Sequence, residues 1–382
     1  MPVDYGMNEL ALYVHVPFCV KKCAYCDFNA YSGLGDLAEG FVEAICKEIE
    51  ASHERGKPVE TCFFGGGTPT YLEADQLARI LTALRSAFAV AHNAEITSEA
   101  NPSTADAEKF AAMREAGFNR LSIGVQAFDD RLLAAVDRTH TADEAEVAIR
   151  AARTAGFENI SLDLMFGLPT QTREDWDATL DSAINLGTEH ISVYALTLEP
   201  GTRFERLHAG GKLNLPTESD ELWMYERAIE RLTEAGFEHY EVSNFARPGF
   251  RARHNLVYWR NGEYRGFGPG AVSYIAGRRW TNEKYPARYN RKVRDEADLA
   301  VESERLDPPA ALAESLMLGL RLREGIALDP LRMRFGIDPL IHFESTLQKL
   351  SSKGWLEVTT DRLRLTHQGL LFANDVFLEL LP

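Results

Sequence analysis

Two periods of apolar and polar positions alternate along the first half of the chain. Short apolar runs at Leu10–Val16, Glu60–Phe64, Glu95–Glu99, Arg120–Gly124, Ile160–Met165 and His190–Ala195 predict strands. Between them, Leu37–Ser52, Ala74–Ala87, Ala105–Ala116, Asp143–Ala155 and Arg173–Leu186 carry apolar residues at the spacing of a helix with one buried face. This succession of six β/α units predicts a parallel sheet with its helices outside. Right-handed crossovers would curl that sheet into a barrel or partial barrel. The segments Ala116-Gly117-Phe118 and Ala155-Gly156-Phe157 place glycine where a helix stops.

Past residue 200 the pattern loosens. Leu222–Ala235 reads as a helix with the same Ala-Gly-Phe ending, and Glu238–Val242 as a strand. A stretch rich in loops, aromatics and arginines follows, Phe245–Tyr289, and Pro308-Pro309 marks a boundary. Beyond it, Ala311–Arg323 and Leu340–Lys353 predict helices, Trp355–Thr359 and Leu363–Thr366 two strands around a polar turn, and Gln368–Leu380 a last helix. Helices followed by a hairpin suggest a winged-helix-like module. The expected division is a β/α partial barrel over 1–200, a barrel extension over 201–305 and a winged-helix-like unit over 306–382. Winged helices often bind DNA, but this one is not basic, so a structural or partner-binding lid is expected.

Charge narrows the partners. The 382 residues carry a formal net charge of −16, which argues against a nucleic-acid partner and against docking on an anionic membrane. No apolar run approaches membrane-spanning length, so an integral membrane protein is not expected. No leader precedes the first strand, and the cytoplasm, where thiols stay reduced, is the expected compartment.

The chemistry concentrates in Cys19, Cys23 and Cys26, spaced C-x3-C-x2-C among five cysteines. Pro17 ends the first strand, so the cysteines lie on the loop at its C-terminal end, where barrels of this kind build their sites. Lys21 and Lys22 favour thiolates there. Three thiolates do not fill a structural zinc site, but they leave one iron of a four-iron cluster open. Zinc with His15 as fourth ligand stays an alternative, and the odd cysteine count disfavours disulfides. Cys46 and Cys62 read as small buried apolar residues. The second predicted strand runs into Gly65-Gly66-Gly67-Thr68-Pro69, where glycines let the backbone approach a ligand. Polar residues recur where later strands end: Glu99, Gln126, then Arg138. Asp163 sits within the apolar run Leu162–Met165, which marks it as functional or as half of a buried salt bridge.

The run Tyr13-Val14-His15-Val16-Pro17-Phe18-Cys19, with Cys23-Ala24-Tyr25-Cys26-Asp27-Phe28, resembles the signature of the radical S-adenosylmethionine (SAM) family. It is most similar to the branch that holds the oxygen-independent coproporphyrinogen III oxidases and the HemW-type haem chaperones. The resemblance implies a partial, TIM-like (β/α)6 radical SAM barrel, a [4Fe-4S] cluster on Cys19, Cys23 and Cys26, and SAM on the fourth iron. It implies Gly66, Gly67 and Thr68 at the methionine part of SAM, Glu99 at its ammonium, Arg138 at its carboxylate and Gln126 and Asp163 at its ribose. Tyr13 and Tyr25 would lie near the cofactor, Tyr25 beside the adenine.

Two departures separate the chain from the oxidases. Phe28 stands where their signature has a further cysteine, and only eighteen residues precede Cys19. His254-Asn255-Leu256-Val257-Tyr258-Trp259 matches the H-N-x-x-Y-W element of the chaperones. That match implies His254 at haem iron, with Arg251, Arg253, Arg260 and Arg265 available for propionates. The plain alternative is a histidine that supports a loop. The resemblance therefore implies a haem chaperone that passes haem to an acceptor apoprotein, one of the respiratory chain among the candidates. The alternative is a radical SAM enzyme acting on a porphyrin or haem, as the oxidases do.

Overall fold

The computed structural model describes residues 10–381. Six strands, β1 (Leu10–Val16), β2 (Pro58–Gly66), β3 (Ala89–Ala100), β4 (Arg120–Gln126), β5 (Ile160–Phe166) and β6 (His190–Ala195), alternate with helices. These helices are α1 (Ala38–Glu50), α2 (Ala74–Ala87), α3 (Ala107–Ala116), α4 (Asp130–Ala135), α5 (Ala142–Thr154) and α6 (Arg173–Asn185). Each strand pairs in parallel with the next, so the expected partial barrel is what folds. Capping boxes start α5 at Thr141 and Glu144 and α6 at Thr172 and Asp175, satisfying amides that a helix start leaves unpaired. Gly117 closes α3 at φ +109°, a left-handed turn that a side chain would strain.

The sheet's two faces differ in kind. Leu10, Leu12, Val14 and Val16 of β1 join Phe41, Ile45, Ile80 and Leu84 of α1 and α2 in the main apolar core. Each such buried side chain contributes about 1.5–3 kcal/mol. The alternate residues face the other way: Tyr13, Thr61, Phe63, Glu95, Glu99, Arg120, Ser122, Asp163, His190 and Ser192. The inner face is thus polar and aromatic rather than packed with branched apolar residues.

The chain continues through α7 (Arg203–Ala209), α8 (Glu218–Glu234), β7 (Glu238–Glu241), β8 (Asn244–Ala246), α9 (Arg253–Trp259), β9 (Tyr264–Phe267), β10 (Val272–Ile275), β11 (Arg278–Asn282), α10 (Pro286–Arg294) and β12 (Ala300–Arg305). The complete sheet has twelve strands in the order β12-β11-β10-β9-β1-β2-β3-β4-β5-β6-β8-β7. Here the structure corrects the sequence reading, because Phe245–Tyr289 is not loop-rich. It holds α9 and three strands that extend the sheet from β1, with β9 parallel to it. Their runs of four or five residues, broken by glycine turns at Gly268, Gly270 and Gly277, leave no period to read.

A second core lies at the C-terminus, where Leu312, Leu316, Leu320, Leu350, Leu363 and Val376 pack together. It begins with α11 (Pro308–Gly319), whose start is capped by Asp307. Strands β13 (Ile326–Ala327), β14 (Leu356–Val358) and β15 (Arg362–Leu365) form its small sheet in the order β13-β15-β14. Strand β13 and the helix after it, Leu328–Phe335, were not expected, and the last helix breaks at Phe372. This unit is tied to the large sheet by Val242 N donating to Arg321 O at 3.0 Å and by Arg323 N donating to Tyr240 O at 3.0 Å. No helix among the described residues is long and apolar enough to cross a membrane.

Candidate cofactor site at the strand ends

The cysteine loop closes on itself after β1. Cys19 N donates to Tyr31 O at 3.0 Å, Tyr31 N to Pro17 O at 2.8 Å and Cys26 N to Cys23 O at 3.2 Å. All three thiols are partly exposed and none is in a disulfide. Cys62 is fully buried in β2, and Cys46 is partly exposed on α1. Burial pushes the metal-free Cys19 thiol up and the Cys26 thiol to about 11, against opposing contacts from Thr68 and the Phe28 backbone respectively. Salt bridges from Asp137 to Lys21 (2.6 Å) and Arg203 (2.7 Å) tie the loop to the segment after α4 and to α7.

The zinc alternative fails on His15. Its Nδ1 is bonded to Tyr13 OH at 3.0 Å and its Nε2 to Asn29 O at 2.9 Å, so neither nitrogen is free to complete a tetrahedron. Among the described residues, no three His, Cys, Asp or Glu side chains gather tightly enough to hold a single ion.

The glycine turn after β2 is stitched to the same loop. Gly67 N donates to Val16 O and Thr68 N to Phe18 O, both at 2.8 Å, and the Thr68 hydroxyl lies 3.5 Å from Cys19 Sγ. Glycine is required here. Gly66 has φ +106°, and a Cβ on it would sit 2.5 Å from the His15 ring; one on Gly67 would sit 2.6 Å from Phe18 O.

The remaining strand-end residues converge beside this turn. Glu99 accepts from Gly66 N at 3.2 Å. Burial, and then the negative charge of Asp163, push the Glu99 carboxyl up to about 8. Ser122 Oγ lies 3.1 and 3.2 Å from the two oxygens of Asp163, and no ion pair reaches this acid among the described residues. Burial raises the Asp163 carboxyl, while Ser192, Ser122, Arg120 and Arg138 oppose the rise. The buried salt bridge that would have explained Asp163 away is therefore absent among the described residues. Gln126 ends β4 at φ +69°, beyond a register shift, and Arg138 turns back to donate to Gly124 O and, at 3.6 Å, to Cys23 Sγ. A Cβ on Gly124 would meet Arg138 Nη2 at 2.8 Å and Gln126 Nε2 at 3.0 Å, so both side chains lie against one bare patch of backbone. Arg138 Nε is buried without a hydrogen-bond partner among the described residues. Tyr25 lies against Phe204, ring centres 6.5 Å apart, and Tyr13 is half-buried on β1, with its phenol pushed up by desolvation and then by Glu99.

His254 is placed apart from the cysteines and deep in the wall. It is 1% exposed, with Nδ1 bonded to Thr61 Oγ1 and Nε2 to Tyr258 OH, each at 2.9 Å. Its ring stacks on Phe63, and burial pushes it down to about 3. Glu95 takes the backbone amides of Arg253 and His254 at 3.0 Å each, capping α9. In this conformation neither ring nitrogen of His254 is free, and ligation of iron there needs the Tyr258 bond to be exchanged. Of the neighbouring arginines, Arg253 pairs with Glu60, Arg265 with Glu48, Arg251 with Glu238, and Arg260 lies near Glu324.

Sequence reasoning missed Arg120, which is 2% exposed on the inner face of β4. The signal that marked Asp163, a charge at a strand's apolar run, was present at Arg120 too. It also missed Asp137, whose only local sign is its place beside Arg138.

A parallel sheet with a three-cysteine loop after its first strand and a glycine turn after its second defines a radical SAM protein, and the Radical SAM superfamily model matches residues 13–183. The HemN C-terminal domain model matches residues 306–372. The chain is similar to the heme chaperone HemW of Bacillus subtilis, 38% identical over 96% of this chain and 97% of that protein. The HemW of Synechocystis is 43% identical over 96% and 95%, and that of Escherichia coli 36% over 97% and 97%. The solved structure of the Escherichia coli coproporphyrinogen III oxidase HemN, a radical SAM enzyme, superposes with a TM-score of 0.85 at 26% identity, covering 99% of this chain and 91% of that one. The chain belongs to the HemW family.

Proposed function

We propose that the protein is a haem chaperone that binds haem and passes it to an acceptor apoprotein, using a radical SAM fold. The observation that carries this reading is the full-length likeness to heme chaperones HemW together with Phe28, 60% exposed, at the position where the oxidases carry a cysteine. Cys19, Cys23 and Cys26 would hold a [4Fe-4S] cluster: they are three partly exposed thiols on one loop, with Thr68 and Arg138 donors beside two of them. When bound, such a cluster supplies one-electron chemistry and an iron without a thiolate.

Around it the chain's own residues would bind SAM. The glycine turn, held against the cysteine loop by Gly67 N and Thr68 N, would meet the methionine part. Glu99 would take the ammonium and Arg138 the carboxylate, its buried Nε still lacking a partner. Gln126 and Asp163 would hold the ribose hydroxyls, Asp163 being free of any ion pair that would compete. Tyr13 and Tyr25 would wall the cofactor. The C-terminal unit would act as a lid or acceptor-docking element, since it meets β7 through Arg323 and the turn after α9 through Asn261 Nδ2 donating to Ser315 Oγ at 2.9 Å. Free thiols and the acidic surface suit the cytoplasm.

An anaerobic assay on the cluster-reconstituted protein tests the reading. With SAM present, haemin should bind with a saturable Soret shift and little SAM consumption. Coproporphyrinogen should not be decarboxylated. SAM cleaved in step with a porphyrin product would establish the enzyme instead.

A further inference from the structure

Arg120 opens β4 on the inner face of the barrel, paired through its backbone with Thr97 of β3. It is 2% exposed, its Nε has no partner, and no hydrogen bond or ion pair reaches its guanidinium among the described residues. A buried charge without a partner is strongly unfavourable unless something answers it. The strand register shows what does: Arg120 lies two residues before Ser122, which pairs with Glu99 of β3 and whose hydroxyl meets Asp163 of β5. Its charge opposes the rise of both Glu99 and Asp163, and it also bears on His190 of β6, Tyr240 of β7 and His254 of α9.

Among the described residues, the other groups facing the carboxylate pair add no competing cation below it. Tyr13 on β1 and Tyr258 on α9 interact with Glu99, and Tyr194 on β6 with Asp163. Glu95 on β3 is committed to the α9 amides. Burial holds His190 and His254 neutral. Arg138 bears on Asp163 from the cysteine side. A direct Arg120 salt bridge would occupy carboxylate lone pairs that a ligand would then have to free. A guanidinium that stands off gives its field and leaves the lone pairs open.

We propose that Arg120 is a positioning residue: its guanidinium is the standing counter-charge beneath Glu99 and Asp163 that readies both carboxylates for a cationic ligand at the strand ends. This rests on the reading that SAM binds there.

The test is SAM affinity against pH, from 6.5 to 9, on cluster-reconstituted wild type, Arg120→Gln and Arg120→Lys. Arg120→Gln should weaken binding at pH 7 by roughly tenfold and move the pH dependence alkaline by about one unit. Its affinity should approach that of the wild type at the alkaline end, with iron content unchanged. Arg120→Lys keeps the charge and should keep the wild-type profile. In a Glu99→Gln background, Arg120→Gln should move the profile less than it does in the wild type, because only Asp163 is left to carry its effect. An unmoved profile in Arg120→Gln, or a loss equal at every pH, overturns the inference. If that variant does not fold, a shifted profile in Arg120→Lys overturns it. Wild type that fails to bind SAM at any pH sinks the underlying SAM reading instead.

Discussion

Replacing Asp163 by Asn separates the cost of a half-buried acid in the fold from its value at the site. Asp163 is surrounded by hydroxyls and has no ion pair among the described residues, and burial raises its carboxyl. The sign for stability follows from that direction. A raised folded value means the folded state holds a proton that the unfolded chain releases, so the contribution is most favourable below the unfolded value and declines as pH climbs toward the folded one. Asn is neutral at every pH and has the same volume, so at pH 7 the variant should unfold within about 1 kcal/mol of wild type, or higher. SAM binding should move the other way. Losing a charged acceptor costs about 1.5–3 kcal/mol, or roughly 10–150-fold in affinity. Calorimetric titration of SAM into reconstituted protein under argon measures the second quantity, and scanning calorimetry the first. Unchanged SAM affinity would refute the assignment of Asp163 to the cofactor. Lost iron or a large drop in stability would mean that Asp163 is structural.

Glu99, held up to about 8 by burial, must lose its proton to meet an ammonium, so SAM affinity should rise up to tenfold per unit as pH goes from 6.5 toward 8 and flatten above; calorimetry showing a flat profile would remove Glu99 from the site. Alanine at Cys19, Cys23 or Cys26 should abolish iron binding after anaerobic reconstitution, whereas Cys46→Ala and Cys62→Ala should keep about four irons per chain; iron loss in either of the latter enlarges the ligand set. Tyr258→Phe removes the hydroxyl that holds His254 Nε2, so if that nitrogen takes haem iron, stopped-flow haemin binding should be faster in this variant and weakened in His254→Ala; equal haem binding in both variants and wild type assigns His254 to the wall alone.

The sheet was legible in the sequence wherever burial is one-sided and repetitive. Strands β1 and β6 and helix α2 have the bounds that their apolar runs predict, because each turns a repeating apolar face into the main core. Legibility stopped where order comes from distant partners. Strands β9 to β11 are short and glycine-bounded, and what makes them strands is the edge of β1. The first half of β3, Ala89–Ala94, is broken by His92 and Asn93, and its start is drawn into the sheet by Ala89 and Val90 pairing with Pro58 and Val59 of β2. At the site, residue types could be read but not their neighbours. Gly66, Glu99 and Cys19 are far apart in sequence, yet they meet through Thr68 and the Gly66 amide. His254 shows the limit most clearly: the i,i+4 spacing to Tyr258 in H-N-x-x-Y-W allows that contact, but nothing in the motif indicates that Thr61 takes the other ring nitrogen.

The central claim is that haem is handed over rather than transformed, and the rate of transfer tests it most directly. Haem-loaded, cluster-reconstituted protein would be mixed anaerobically with increasing apoprotein of a b-type respiratory cytochrome, and the Soret band of the acceptor followed. A chaperone predicts a transfer rate that climbs with acceptor concentration, faster than haem leaves the protein into buffer. A rate that stays fixed at that of spontaneous haem loss, whatever the acceptor concentration, would contradict the account.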